Sequence, residues 1–183
     1  IAKGLASRGA HVVALARTVG GLEELDDEIR SIGGKATLIP FDLKKSEEIL
    51  SLGPLLADKF GRLDIAVGNA AMLGSLTPVA HIKAKAWDEI LTVNLTANHR
   101  LIATLDPLLR ASDAGRATFV TSGVTQMESP YWAGYGITKA ALEKMVETYA
   151  SEVKLTPLKV TLLDPGVAAT KMRGQAFPGE DQT

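Results

Sequence analysis

The residues best suited to chemistry in this chain are a hydroxyl, a phenol and an amine. Thr121-Ser122 is followed, thirteen residues after the serine, by Tyr135, and Lys139 comes one helical turn later. The residues around Tyr135 and Lys139 are typical of a helix, so the two side chains are expected to share a face. A phenol is a poor acid or base at pH 7 unless a nearby cation stabilises its anion. With a hydroxyl that polarises a carbonyl, these groups could move a proton on and off an alcohol or ketone oxygen.

The spacing has an equally good plain interpretation. Any amphipathic helix can carry Tyr-x-x-x-Lys as a solvated surface pair. The elements that would position these residues must therefore decide between the two interpretations.

Strands and helices alternate along the chain. Apolar runs typical of buried parallel strands are predicted at 11–16, 36–41, 65–67, 117–121 and 160–163. Helices are predicted at 22–32, 46–60, 84–110 and 132–155. Gly33-Gly34 should end the first of these helices, Ser46 should cap the second, and Pro107 should interrupt the last turn of the third.

This alternation predicts a parallel sheet covered by helices on both faces. We expect a Rossmann-like, doubly wound α/β fold with three layers (αβα), in a single domain over residues 1–183. Such sheets bind ligands beyond the carboxyl ends of their strands. Five polar or turn-forming positions fall at those ends and should line one edge: Arg17, Asp42, Asn69, Ser122 and Pro165-Gly166.

Composition excludes several function classes. Apolar residues make up 46% of the 183 residues and the formal net charge is −1, so the chain should fold and has no electrostatic footprint for nucleic acid. No apolar run is long enough to span a bilayer, and no signal-peptide pattern opens the sequence. There is no cysteine, and the three histidines are far apart, so we expect no metal site. A cytoplasmic protein is predicted.

Both ends of the sequence read as interrupted. Residues 1–6 have helical spacing without a start signal, and 177–183 form a polar end with no closing strand or helix. We therefore expect truncation at the N-terminus and at the C-terminus.

Taken in order, these motifs resemble the short-chain dehydrogenase/reductase family over essentially the whole chain. The matching positions are Arg17, Asp42-Leu43, Asn69-Ala70-Ala71, Asn94, Ser122, Tyr135 with Lys139, and Pro165-Gly166-x-x-x-Thr170. The sequence departs from the family at its start, where the first strand and the Gly-rich turn that cradles the cofactor pyrophosphate are missing. The residues given alone are therefore expected to show little activity.

The resemblance implies a catalytic role for four residues. Tyr135 would act as general acid in reduction and general base in oxidation, and Lys139 would lower its pKa and bind the nicotinamide ribose. Ser122 would hold the substrate oxygen, and Asn94 would anchor a water that links Lys139 to solvent. The alternative makes Ser122 a turn residue, Asn94 a polar group inside a helix and Lys139 a surface charge.

The resemblance also implies a dinucleotide site. Arg17 suits the 2′-phosphate of NADP, so NADP(H) is favoured over NAD(H), although Arg17 could be a plain solvated charge. Asp42 and Leu43 would meet the adenine, unless Asp42 only caps a turn. The remaining cofactor contacts would come from Asn69, Ala70 and Ala71 at the adenine ribose, Tyr135 and Lys139, and Pro165, Gly166, Val167 and Thr170 at the nicotinamide.

The function implied is an NADP(H)-dependent oxidoreductase that interconverts a carbonyl and a secondary alcohol of a small molecule. Two alternatives stay open: a degenerate nucleotide-binding sensor or scaffold, and an epimerase or dehydratase of related fold. Residues 123–132 and those after Thr170 should form the substrate pocket. Core or a subunit interface is expected for the apolar positions that continue the Tyr135 helix, Leu142, Met145, Val146 and Tyr149. Family members commonly pair this helix and the long helix before it across a two-fold axis, so the resemblance implies a homodimer or homotetramer.

Overall fold

The computed structural model describes residues 1–180, so residues 181–183, which end the predicted domain and the predicted polar C-terminus, lie outside the described residues. The chain divides into two compact units, residues 1–43 and the residues from 44 onward. The single domain over 1–183 stays a prediction.

The first unit is a two-stranded parallel α/β segment. Its elements are α1 (Ala2–Ala6), β1 (His11–Ala16), α2 (Val19–Ser31) and β2 (Lys35–Pro40). The strands run in parallel register from His11 beside Lys35 to Ala16 beside Pro40. The chain turns after α2 at Gly33, whose φ of 76° favours glycine, as the predicted Gly-Gly stop requires. Pro40 stands at the strand end, where its missing N–H costs no ladder bond.

The second unit is built around a three-stranded parallel sheet in the order β3-β4-β5. Its strands are β3 (Ile65–Gly68), β4 (Arg116–Val120) and β5 (Lys159–Leu163). Its α-helices are α3 (Leu52–Phe60), α4 (Ala84–Leu91), α5 (Ala97–Arg110), α6 (Ala133–Glu152) and α7 (Lys171–Ala176). Short 3₁₀ segments lie at Ser46–Ser51, Val79–His81 and Gly123–Gln126, and a π-helical turn lies at Thr92–Thr96.

The predicted helix at 46–60 begins differently from the expectation. Residues 46–51 form a 3₁₀ turn, and Ser46 does not cap it. The Ser46 hydroxyl accepts a 2.7 Å hydrogen bond from Arg100 instead. Pro54 has no N–H to donate to the carbonyl of Leu50, four residues earlier. The Thr104 hydroxyl donates to that carbonyl instead, at 2.8 Å. A side chain from α5 therefore completes the irregular start of α3.

The break predicted at Pro107 is also wrong. Helix α5 continues through Pro107 to Arg110, because the proline keeps a helical φ and its carbonyl accepts the Ala111 N–H at 3.1 Å. The irregularity lies earlier in the predicted 84–110 helix, in the π-helical turn that contains Asn94. π-helical turns are frequent at functional sites.

Helix α6 carries the apolar face that the spacing predicted. Leu142, Val146 and Tyr149 are buried, whereas Met145 is only half-buried. Burying large side chains at i, i+4 and i+7 holds α6 in place along its length, and its N-terminal turns keep the same orientation. No helix within residues 1–180 has the length and apolar character needed to cross a membrane.

Candidate active site

Ser122, Tyr135 and Lys139 converge at the carboxyl end of β4. Ser122 directly follows β4, and Tyr135 and Lys139 lie one turn apart near the N-terminus of α6. Tyr135 is 8% exposed and Lys139 only 2% exposed. The plain interpretation of a solvated surface pair is therefore wrong for this chain.

The side chain of Ser122 acts on the phenol of Tyr135. Burial raises the pKa of Tyr135 above its ordinary value, the hydrogen bond with Ser122 opposes this, and the charge of Asp164 adds to the increase. Ser122 has an extended backbone, with φ −162° and ψ 141°, and its Oγ accepts the N–H of Val124 at 3.5 Å at the start of the 3₁₀ segment. A serine and a tyrosine hydroxyl that converge at one strand end can bind the same oxygen of a small molecule.

Lys139 extends its ammonium to the end of β4. Its Nζ donates a 2.7 Å hydrogen bond to the carbonyl oxygen of Val120 and lies 5.7 Å from the centroid of the Tyr135 ring. Burial lowers the pKa of Lys139 to about 8, and the carboxylate of Glu143 opposes this. Burial of the phenol dominates the pKa of Tyr135, and the expectation that Lys139 lowers it stays a prediction.

Asn94 is fully buried in the π-helical turn and connects three segments. Its Oδ1 accepts from the N–H of Met72 at 2.7 Å, and its Nδ2 donates to the Met72 carbonyl at 2.9 Å and to the Thr138 hydroxyl at 3.0 Å. Thr138 in turn donates to the carbonyl of Tyr135 at 2.8 Å. The side chain of Asn94 thus ties the loop after β3 to the turn of α6 that carries Tyr135 and Lys139.

The sequence motifs do not include Thr138. A threonine inside a helix is usually a weak signal, because its hydroxyl often bonds its own backbone. Its position next to Lys139, on the turn that also carries Tyr135, is the signal that could have found it. Burial to 0% exposure and the bond from Asn94 make it part of the scaffold of the site.

The loops after β3 and β5 present the other predicted positions of this unit. Asn69 and Ala70 are exposed, and Ala71 packs against the buried cluster that includes Tyr135. Pro165, Gly166, Val167 and Thr170 are exposed after β5. The Thr170 hydroxyl accepts the N–H of Arg173 at 3.1 Å and so caps α7. Its own proton stays available to a second partner.

An aromatic group lies beside the phenol. Trp132 meets Tyr135 edge to face, with ring centroids 6.1 Å apart, and Phe177 lies 5.6 Å from Trp132. Met172 of α7 packs against the same buried cluster. The exposed Tyr131 has a φ of 73°, which is unusual for a residue with a side chain. The surroundings of the phenol are thus mainly apolar.

The three predicted cofactor positions of the first unit follow its strands. Arg17 comes directly after β1 and is exposed, and Asp42 and Leu43 follow β2 and are half-buried. Because β1 and β2 are parallel neighbours, their carboxyl ends share an edge, and the same holds for β3, β4 and β5 in their own sheet. The alignment of all five strand ends along one edge stays a prediction.

Comparisons with known proteins assign this arrangement to a family. The family model described as short chain dehydrogenase matches residues 1–181. An uncharacterised oxidoreductase of Escherichia coli K12, YciK, is 32% identical over 176 residues, which are 94% of this chain and 69% of that protein. The D-beta-hydroxybutyrate dehydrogenase of Rhizobium meliloti is 27% identical over 100% of this chain and 71% of its own length.

Solved structures agree with the sequence relatives. A short chain dehydrogenase from Salmonella enterica serovar Typhi superposes with a TM-score of 0.94 at 32% identity, covering 99% of this chain and 76% of that structure. A short chain dehydrogenase from Shigella flexneri, complexed with NADP, also gives a TM-score of 0.94 at 32% identity, with 99% and 77% covered. The prediction of a Rossmann-like α/β fold with parallel sheets is confirmed. The chain belongs to the short-chain dehydrogenase/reductase family of oxidoreductases.

Proposed function

We propose that the protein is an NADP(H)-dependent oxidoreductase that interconverts a carbonyl and a secondary alcohol, with Tyr135 as the general acid or base. The observation that carries the proposal is the convergence of three groups at the end of β4: the buried phenol of Tyr135, the side chain of Ser122 that acts on it, and the buried amine of Lys139 one turn away. A solvated tyrosine would have no partner of this kind. The Tyr135 phenol is protonated at neutral pH, as an acid that gives a proton to a carbonyl oxygen must be, and the charge of Lys139 would offset the burial that raises its pKa.

The residues of this chain would divide the proton chemistry between them. The cofactor supplies a hydride to the carbonyl carbon when it is bound. Ser122 donates a hydrogen bond to the substrate oxygen and polarises the carbonyl. Tyr135 transfers its phenolic proton to that oxygen as negative charge develops on it, and the alcohol leaves neutral. Lys139 stabilises the resulting phenolate, and the phenol regains its proton from solvent before the next cycle.

The proposed cofactor is a phosphorylated dinucleotide, and each predicted cofactor residue would contact one part of it. Arg17 presents an exposed guanidinium directly after β1, which matches the doubly charged 2′-phosphate of NADP. Asp42 and Leu43 would bind the adenine, and Asn69, Ala70 and Ala71 its ribose. Tyr135 and Lys139 would bind the nicotinamide ribose, and Pro165, Gly166, Val167 and Thr170 would border the nicotinamide. The similar structures from Shigella flexneri with NADP and from Escherichia coli with NADPH support the same choice of cofactor.

The substrate is proposed to be a small carbonyl compound or alcohol with an apolar substituent. Trp132 lies beside the phenol, Phe177 lies against Trp132, and Met172 packs against the same buried cluster, while Ser122 and Tyr135 would supply the two polar contacts. Apolar pockets with a few convergent polar groups are typical of small-molecule sites.

The proposed assembly is a homodimer or homotetramer formed through α5 and α6, in the cytoplasm. A groove on these two helices is lined by Ile102, Ala103, Ala141, Met145 and Tyr149, together with polar neighbours. Apolar side chains on an open helix pair are typical of a self-complementary interface. The absence of cysteine from the sequence suits a reducing compartment.

The experiment that tests the reaction compares the complete protein with its Tyr135→Phe variant. NADPH oxidation at 340 nm is followed against a panel of ketones and aldehydes, and NADPH binding is followed by fluorescence. Loss of the general acid should lower kcat about 10²- to 10⁴-fold while NADPH binding is retained. A variant that turns over as fast as the wild type would overturn the proposed role of Tyr135.

A further inference from the structure

We infer that Glu143 is a positioning residue of this site, which holds the Ser122 turn through two threonine hydroxyls and places a negative charge beside Lys139. The inference deepens the proposed function and rests on it. Glu143 lies one helical turn after Lys139 on α6, and it is half-buried. It belongs to none of the motifs singled out in the sequence.

Glu143 accepts hydrogen bonds from two threonines, one before and one after Ser122. Its Oε1 accepts from the Thr121 hydroxyl at 2.5 Å and from the Thr125 hydroxyl at 2.9 Å. These threonines lie immediately before Ser122 and three residues after it. The Thr125 hydroxyl is also 3.1 Å from the carbonyl of Ser122, but its single proton has the nearer and charged acceptor in Glu143.

The Ser122 turn is closed by its own backbone as well. The N–H of Thr125 donates to the Ser122 carbonyl at 3.1 Å, which forms the start of the short 3₁₀ segment. That single turn has few bonds of its own, and the charged acceptor from α6 fixes both of its ends. Ser122 is thereby held at the strand end beside α6, the helix that also carries Tyr135.

Two successive turns of α6 thus hold two successive residues at the end of β4. Lys139 donates to the carbonyl of Val120, and Glu143 accepts from the side chain of Thr121. The residue that follows is Ser122. Because the strand end and the helix are connected at consecutive positions, the distance between the serine and the phenol depends on both contacts.

The charge of Glu143 acts on Lys139. Burial favours the neutral amine, and the carboxylate of Glu143 favours the ammonium. The other titratable groups that act at this site are Tyr135 on α6 and Asp164 after β5, whose charge acts on Tyr135. Removal of the Glu143 charge should leave less ammonium on Lys139 at neutral and mildly basic pH.

The charge and the hydrogen bonds can be tested separately in the complete protein. Glu143→Gln keeps an oxygen acceptor for the threonines and removes the charge, whereas Glu143→Ala removes both. Thr125→Ala with Thr121→Val removes the two donors and keeps the charge. Glu147→Gln, one turn further along α6 and exposed, is the matched control and should behave as the wild type.

In NADPH-dependent reduction, Glu143→Ala and the double threonine variant should lower kcat about 10-fold or more with little change in KM for NADPH, because Ser122 is misplaced. Glu143→Gln should move the basic limb of the kcat–pH profile to lower pH, and Glu147→Gln should not. Wild-type kcat in Glu143→Ala, with its fold verified by circular dichroism, would overturn the positioning role.

A readout without turnover distinguishes failure of this inference from failure of the proposed function. The titration of Lys139 is followed by NMR in protein labelled with ¹³C at the lysine ε-carbon, with the signal assigned by its loss in Lys139→Arg. Glu143→Gln should lower the Lys139 midpoint, whether or not any carbonyl compound is reduced. An unchanged midpoint would overturn the charge effect. A lowered midpoint in a protein without reductase activity would support the position of Glu143 beside Lys139 and would contradict only the proposed reaction.

Discussion

The ammonium of Lys139 donates a 2.7 Å hydrogen bond to the carbonyl oxygen of Val120, the last residue of β4. A side chain that is 2% exposed therefore connects the helix carrying the phenol to the strand carrying the serine. Burial of this amine lowers its pKa to about 8, so its charge depends on pH within the range in which the enzyme can be assayed.

Replacement of Lys139 by methionine should change the pH dependence of stability. The folded pKa of Lys139 lies below its ordinary value of 10.5, so between about pH 8 and 10.5 the unfolded chain binds more protons and stability rises with pH. The unfolding free energy of the wild type should therefore increase relative to Lys139→Met by on the order of 3 kcal/mol across that range. Urea unfolding at several pH values measures it. Parallel curves for the wild type and Lys139→Met would contradict the lowered pKa.

Replacement of Arg17 should weaken NADPH binding and spare NADH. Loss of charge-assisted hydrogen bonds to a 2′-phosphate costs about 1.5–3 kcal/mol, which corresponds to about 10- to 100-fold in Kd. Fluorescence titration of Arg17→Gln with both cofactors measures the selectivity. Arg8→Gln carries the same change of charge and should leave both Kd values unchanged. Equal weakening for NADPH and NADH would assign Arg17 a role outside 2′-phosphate recognition.

Removal of the Asn94 side chain should destabilise the protein. Asn94→Ala leaves the backbone groups of Met72 and the hydroxyl of Thr138 without their partner, at a cost of about 3 kcal/mol. Thr138→Val removes one of these bonds and should cost less, whereas Thr138→Ser keeps the hydroxyl and should retain the bond. Urea unfolding of the single variants and of the Asn94→Ala/Thr138→Val double variant should show strong coupling. Additive effects of the two substitutions would mean that the hydrogen bond between Asn94 and Thr138 contributes nothing to stability.

A methyl group at Gly53 should disturb the packing of α3 on α5. A Cβ built there would lie 2.3 Å from both the carbonyl oxygen and the hydroxyl of Thr104. Gly53→Ala should cost about 2 kcal/mol or more, since backbone atoms must move. Gly20→Ala, in α2 with open space around its Cβ, should be neutral or slightly stabilising. Thermal unfolding of Gly53→Ala and Gly20→Ala compares their stabilities. Equal losses of stability would contradict the close approach of α3 to α5 at Gly53.

A charge at Met145 should disrupt the proposed assembly. Met145 lines the groove on α5 and α6, where a glutamate would place a charge among the apolar side chains of the proposed interface. Met145→Glu should convert the oligomer to monomers in size-exclusion chromatography with light scattering. Leu155→Glu, at a fully exposed apolar position outside the groove, should leave the assembly intact. An unchanged mass for Met145→Glu would place the interface elsewhere.

The sequence alone determined the succession of elements and the residues brought to the strand ends. Alternation of apolar runs with helical spacing is a local property, so the strands at 11–16 and 65–67 and the helix carrying Tyr135 and Lys139 were predicted close to their observed bounds. The i, i+4 relation of Tyr135 and Lys139 follows from helix geometry, and the position of Ser122 follows from the end of an apolar run.

The tertiary structure alone decided how these groups interact. Burial raises the pKa of Tyr135 and lowers that of Lys139, and burial depends on neighbours far away in sequence. The same holds for the 3₁₀ start at Ser46, where α5 supplies the partners. Glu143 was invisible in the sequence because its partners, Thr121 and Thr125, lie about twenty residues earlier and reach it only when α6 packs against the end of β4. Spacing along the chain determines which residues share a face, whereas desolvation and long-range hydrogen bonds determine what those residues can do.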